Sequence, residues 1–132
     1  MNSVIEIRTN KRIEAVEITN QIDKIISDSS FSSGLCIVFS PHTTSGIMIN
    51  ESYDSAVIED INSFLSKLVP HKDNYLHHEG NSDAHIKSSL IGPSKTLTFE
   101  NQKIVLGTWQ GIFFMEFDGP RSRKVYVKLI KG

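Results

Sequence analysis

The last third of the chain is almost entirely short apolar runs divided by turn residues, and this limits the fold more than any other feature. Residues 95–99, 103–106, 109–117 and 124–130 read as strands, divided by Asn101 and Gln102, by Gly107 and Thr108, and by a turn with Gly119 and Pro120. In the third strand, period two sets Gln110, Ile112, Phe114 and Glu116 on one face and Trp109, Phe113, Met115 and Phe117 on the other. Both faces are apolar enough to need cover, which predicts a layer beyond the main helices, a subunit interface being one source. Glu116 shares a face with Ile112 and Phe114, so its carboxylate needs a partner. That makes it a candidate for chemistry, with a structural ion pair to an arginine as the alternative.

Upstream, residues 4–8 and 13–18 alternate around the polar stretch Thr9 to Arg12 and predict an antiparallel hairpin. Thr19 is placed to cap a helix in which Ile22, Ile25 and Ile26 share a face. Residues 35–40 are apolar and branched, a buried strand in which Cys36 is core packing, and Pro41 leaves His42, Thr43 and Thr44 just past its end. Residues 46–50 form a further strand that delivers Asn50 and Glu51 to the next helix. There Val57, Ile61, Phe64, Leu65 and Leu68 make one stripe, predicted to pack on the sheet. Ser52 or Asp54 is its cap and Pro70 follows its end. Residues 69–83 are a long polar loop, a length that points to function in a compact domain. The loop leads to a short helix, with Asp83 as predicted cap and Ala84, His85 and Ile86 in the first turn. The order β-β-α-β-β-α-α-β-β-β-β predicts one α+β domain over residues 1–132, its mainly antiparallel or mixed sheet covered on one face by helices.

Charge narrows the partners. Lys plus Arg total 14 against 15 Asp plus Glu, with no long run of either sign, so a nucleic-acid partner is not expected. No basic leader precedes an apolar stretch and no apolar run approaches a bilayer span, so no membrane partner and a cytoplasmic location are expected.

Five histidines are present, and the ordinary reading of any one is a surface or loop residue without a ligand. His42, His77 and His85 show no compact motif, but if the fold brings them together, three neutral imidazoles with an open fourth position suit a catalytic zinc ion. Lys87, Ser88 and Ser89 near a helix N-terminus suit an anion, against the plain alternative of a solvated helix face. Arg121 and Arg123 offer forks that match phosphate, although an exposed charged turn explains them equally well.

Three blocks carry a resemblance: HTTSGIMINESYD from His42, NYLHHEGNSDAHIKSSLIGPS from Asn74 and LGTWQGIFFMEFDGPRSRKV from Leu106. In these the chain resembles the YjbQ family, sometimes named secondary thiamine-phosphate synthase; it departs at Asn101, where members usually carry glycine. The resemblance implies a compact α+β subunit in a homotrimer, with sites near the subunit boundaries. It implies a pocket formed by His42, His77 and His85, holding a divalent metal, zinc in the first instance, or magnesium with a diphosphate substrate. Asn50, Glu51, Asp54, Lys87, Gln110 and Glu116 fall inside the same blocks and are further site candidates. The implied activity joins an aminopyrimidine methyl diphosphate to a thiazole phosphate and releases diphosphate, so the expected partner is a small phosphorylated substrate. In that reading Lys87, Ser88 and the helix N-terminus hold the diphosphate, Arg121 assists, and Glu116 stands near the pyrimidine. Two alternatives stay open. A metal-dependent hydrolase would activate water on the histidines, with Glu51, Asp54 or Glu116 as base. A trimeric binding protein would keep the pocket without turnover.

Overall fold

The computed structural model describes residues 2–132. The chain runs β1 (Asn2–Arg8), β2 (Glu14–Glu17), α1 (Thr19–Asp28), β3 (Gly34–Phe39), β4 (Ser45–Glu51), α2 (Ser55–Leu68), α3 (Ser82–Ile91), β5 (Ser94–Glu100), β6 (Lys103–Ile104), β7 (Gln110–Glu116) and β8 (Ser122–Lys131). It is an α+β domain, as the order of elements predicts. The strands form two sheets rather than one: β1-β8-β3-β5-β6 and β2-β7-β4, with antiparallel pairing throughout.

Two sheets explain why β7 is apolar on both sides. Ile112 and Phe114 face a core shared with Ile5, Ile7, Cys36, Val38, Val125, Val127 and Leu129 of the larger sheet and with Ile22 and Ile26 of α1. Phe113 and Met115 face the other way, into a second core with Met48, Leu65 of α2 and Ala84 of α3. The cover predicted for β7 is therefore the larger sheet on one side and the helices on the other, and no subunit interface is needed there. Each fully buried Ile or Phe in these layers contributes roughly 1.5–3 kcal/mol. Burial pushes the Cys36 thiol up to about 11, assisted by the charge of Asp23, consistent with packing rather than reactivity.

The predicted hairpin of the first two strands does not form. β1 pairs with β8 and β2 with β7, so the link between them crosses from one sheet to the other. Alternation marks a strand and its buried face but not its partner. Thr19 is also not the cap of α1: that place belongs to Ile18, while the Thr19 hydroxyl accepts from the Ile112 amide at 2.9 Å and donates to Glu17. Asp54 does cap α2, accepting from the Ala56 amide at 2.9 Å. The α2 stripe packs only in part. Leu65 is buried with Ile58 and Ile61 against it, but Phe64 and Leu68 remain 63% and 57% exposed. Asn101 and Gln102 both take positive φ in the two-residue turn between β5 and β6, a conformation that asparagine tolerates and glycine favours.

Helix α3 is turned opposite to ordinary amphipathic expectation. Asp83, Lys87 and Ser88 face inward, while Ile86 and Leu90 face solvent. Its N-cap is Asn81 rather than Asp83, because Asp83 is drawn into the interior by Arg12, which reaches its two oxygens at 2.8 and 3.0 Å.

Candidate functional site: a cavity lined by His42 and His85

A cavity of about 350 Å³ opens where three distant segments meet, lined by Pro41 to Thr44, Glu79, Asn81, His85, Asp118, Arg121 and Arg123. Each segment is delivered by an element end. His42 follows β3, where Pro41 stops the strand. His85 sits in the first turns of α3, and Asp118 and Arg121 lie in the turn between β7 and β8.

His42 is fixed by the main chain, since its Nε2 accepts a hydrogen bond from the Lys124 amide at 3.0 Å. An acceptor at Nε2 places the proton of the neutral ring on Nδ1. The ring stands edge-on to Phe114, with centroids 6.5 Å apart. Burial lowers its pKa below the ordinary 6.5, and the Arg123 guanidinium lowers it further, outweighing the Lys124 bond and the Glu116 charge. The unfolded chain then binds more protons between the lowered value and about 6.5, so the contribution is complete above pH 6.5 and is lost as pH falls through the folded value. In chelator-treated protein, acidification should lower the urea midpoint of the wild type more than that of His42→Asn. Equal slopes in the two proteins would contradict this assignment.

His85 meets His77 in an edge-to-face contact, ring centroids 5.3 Å apart, and His77 Nε2 lies 3.8 Å from Glu79. These two rings line a second, more open hollow with Asn74, Tyr75, Leu76 and Ile86. His85 is thus common to both hollows, with His42 on one side and His77 on the other. Among the described residues, no group of three His, Cys, Asp or Glu side chains is arranged to hold one metal ion. As arranged here, His42, His77 and His85 do not form the three-imidazole site. His71 bonds the Gly80 carbonyl at 3.0 Å and stands outside this arrangement.

The charges around the cavity are organised by Glu116, which is fully buried. Arg123 grips it through Nε at 2.8 Å and through Nη2, and Nη2 also donates to the Thr44 hydroxyl at 2.8 Å. The Thr9 hydroxyl donates to Glu116 at 2.8 Å, and the Asp118 amide donates to its other oxygen at 3.1 Å. Of the two readings of Glu116, the geometry supports the structural ion pair, since both oxygens are engaged. Arg123, read from the sequence as part of a charged turn, lies in β8 and shares the inward register of Val125, Val127 and Leu129, where a charge needs a buried counterion.

Arg121 is half exposed and clasps Asp118 through its carbonyl at 2.8 Å and its carboxylate at 3.0 Å. Burial opposes the charge on Asp118, but hydrogen bonds from Asn81 and Arg121, with Arg12 nearby, hold its carboxyl below the ordinary value. Glu79, Asn81 and Asp118 are cavity residues that pattern reading passed over, because short polar residues in loops carry no periodic signal.

Several candidates lie elsewhere. Lys87 is 1% exposed, 3.7 Å from Asp83 and beneath the Phe117 ring, so it neutralises an internal carboxylate instead of presenting charge to an anion. Burial lowers its pKa, against the attraction of Asp83. Ser88 donates to the Ser45 carbonyl at 2.6 Å, a link between α3 and β4. Gln110 accepts from the Gly107 amide and closes a turn. Asn50 accepts from the Glu51 amide, and Glu51 accepts from the Asp54 amide at the start of α2. Glu51 lines a separate cavity of about 530 Å³ with Glu14, Glu17 and Glu59. Thus His42, His85 and Arg121 meet in one cavity, His77 adjoins it, and Asn50, Glu51, Asp54, Lys87, Ser88 and Gln110 do not line it.

Comparison with known proteins settles the lineage of this arrangement. The family model described as UPF0047 protein YjbQ-like matches residues 3–132. The chain belongs to this family. The YjbQ-like chain is 56% identical over 125 residues to a UPF0047 protein of Methanocaldococcus jannaschii, covering 95% of this chain and 91% of the relative. It is 40% identical to the UPF0047 protein YugU of Bacillus subtilis, covering 98% of this chain and 99% of the relative. Among solved structures, a YjbQ/UPF0047 protein of Clostridium acetobutylicum superposes with a TM-score of 0.95 at 49% identity, covering 97% of this chain and 99% of that one. A YbjQ-like protein of Sulfolobus solfataricus also reaches 0.95 at 30% identity, covering 100% and 97%. No helix among the described residues is long and apolar enough to cross a membrane.

Proposed function

We propose that the cavity between His42 and His85 binds a small phosphorylated substrate, and that the protein is a transferase with thiamine-phosphate-synthase-like activity. The observation that carries this reading is the gathering of two imidazoles, the half-exposed Arg121 and the ionised Asp118 in one hollow, from three segments far apart in the chain. A guanidinium suits a phosphate or diphosphate group, and imidazoles suit proton transfer near neutral pH. In the proposed reaction the bond from the pyrimidine methylene carbon to the diphosphate oxygen breaks, the carbon joins the thiazole nitrogen, and diphosphate leaves. Arg121 would stabilise the departing charge. The reading takes the chain to be cytoplasmic and homotrimeric. Exposed Leu76, Ile86 and Leu90 beside the His77 and His85 hollow support an apolar contact with another copy there, which would also bring further ligands toward a divalent ion.

The test supplies aminopyrimidine methyl diphosphate and thiazole phosphate with magnesium and follows thiamine phosphate and diphosphate. Product that needs both substrates, and falls by about 10- to 100-fold in Arg121→Ala, supports the transferase. Diphosphate or phosphate released without the thiazole favours the second reading, a metal-dependent hydrolase, for which the histidine grouping speaks. Binding without turnover leaves a trimeric binding protein. Elemental analysis of wild type and of His42→Ala, His77→Ala and His85→Ala decides the metal: about one zinc per chain, removed by each substitution, is the expected result.

A further inference from the structure

We propose that Asn81 reads the ligand of the His42 and His85 cavity, its Oδ1 accepting a hydrogen bond from an N–H or O–H group that the ligand carries. The proposal rests on the cavity being the ligand site. Asn81 is 8% exposed and lines the cavity, yet its Oδ1 is buried without a hydrogen-bond partner among the described residues. Such an acceptor is rare in a folded interior. The residue also occupies the N-cap of α3, where an asparagine oxygen ordinarily accepts from a free backbone amide. Here the side chain makes no capping bond; only the Asn81 carbonyl is used, by the Ala84 and His85 amides at 3.0 and 3.3 Å.

The orientation of the amide is imposed. Its Nδ2 donates to Asp118 Oδ2 at 2.8 Å, and an ionised carboxylate only accepts. Asp118 is kept ionised by Asn81 itself and by Arg121. The amide therefore cannot exchange its ends, and the free end is always the acceptor. The same cavity is lined by donors: the Arg121 guanidinium, and His42, which carries its proton on Nδ1 while Nε2 is engaged. A ligand that satisfies this set offers a donor to Asn81 and acceptors to Arg121 and His42. An amino- or hydroxymethyl-substituted heterocycle with an anionic group has that pattern; a bare phosphate with all oxygens ionised does not.

The experiment titrates isotope-labelled full-length protein with two matched pairs of probes, followed through the NMR signals of Asn81 and His85. One pair is 4-aminopyrimidine and 4-dimethylaminopyrimidine, the other pyrimidine-5-methanol and its methyl ether, which separates an N–H from an O–H source. The expected result is that the donor-bearing member of one pair binds at the cavity about tenfold more tightly, and that Asn81→Ala reduces the ratio to within about twofold. Asp118→Asn, which removes the imposed orientation, should reduce it as well, and serves if Asn81→Ala does not fold. Equal affinities within both pairs at the cavity, as a resident water on Oδ1 would give, overturn the role of Asn81 and leave the cavity as a ligand site. An unchanged ratio in both variants does the same. Failure of all four probes to perturb the cavity overturns the role of Asn81 and the ligand site together.

Discussion

Replacing Glu116 by alanine is expected to destabilise the protein by about 3–5 kcal/mol, the range for removing one partner of a buried ion pair. The loss has a specific origin. Glu116 has no exposed surface and receives hydrogen bonds from Arg123, Thr9 and the Asp118 amide, so its removal strands a guanidinium that is itself 5% exposed. Glu116→Gln keeps the shape but not the charge and should lose less. Glu116→Leu combined with Arg123→Met should recover much of the stability, because two charges leave the interior together. Urea denaturation of the four proteins measures this. A loss below about 1 kcal/mol in Glu116→Ala would contradict the structural role. The cavity should also suffer, because Thr9 Oγ1 accepts the Arg121 amide and so ties the β7–β8 turn to this carboxylate.

Asp83→Ala is expected to be comparably damaging, again by about 3–5 kcal/mol. Asp83 is fully buried between Arg12 and Lys87, and among the described residues Lys87 otherwise has only a 3.4 Å contact with the Ser66 hydroxyl and the Phe117 ring beside it. Without the carboxylate, Lys87 is an uncompensated internal cation. Its pKa is already lowered in the wild type, so the unfolded chain binds more protons between the lowered value and the ordinary 10.5. Stability contributed by this group is therefore complete only above the ordinary value and is lost as pH falls through the folded one. In Asp83→Ala that loss should extend down to a still lower folded pKa and be larger. Lys87→Met added to Asp83→Ala should recover stability and abolish the extra pH dependence. A double variant no more stable than Asp83→Ala would show that Lys87 is not the source. Either outcome bears on function, since α3 carries His85.

The two clusters also show what could be read from the chain and what could not. Arg123 reads from the sequence as part of a charged turn and joins the inward residues of β8 only in the structure, while period two located Glu116 on a buried face of β7. It could not say whether Glu116 would meet a substrate or an arginine, because both satisfy a buried carboxylate. Lys87 misled in the other direction. A lysine beside serines at a helix start suggests an anion site, but α3 turns this face inward, and Asp83 four residues earlier supplies the neutralising charge. Asn101 was legible as a turn residue, and its positive φ agrees with the glycine usual at that place. His42, His77 and His85 were legible as candidates through the family blocks; that His85 stands between the other two was not.

By itself the sequence determined the α+β class, nearly all element positions and the buried faces of the strands, because these follow from propensities and periodicities among residues close along the chain. Tertiary structure alone decided that β1 and β2 part into different sheets, that α3 hides its charges, and that the histidine cavity includes Asn81 and Asp118. Those outcomes rest on contacts between remote segments, such as the Lys124 amide on His42 and Thr9 on Glu116. Such contacts exist only once the two sheets and the three helices have packed together, and nothing local to either partner encodes the meeting.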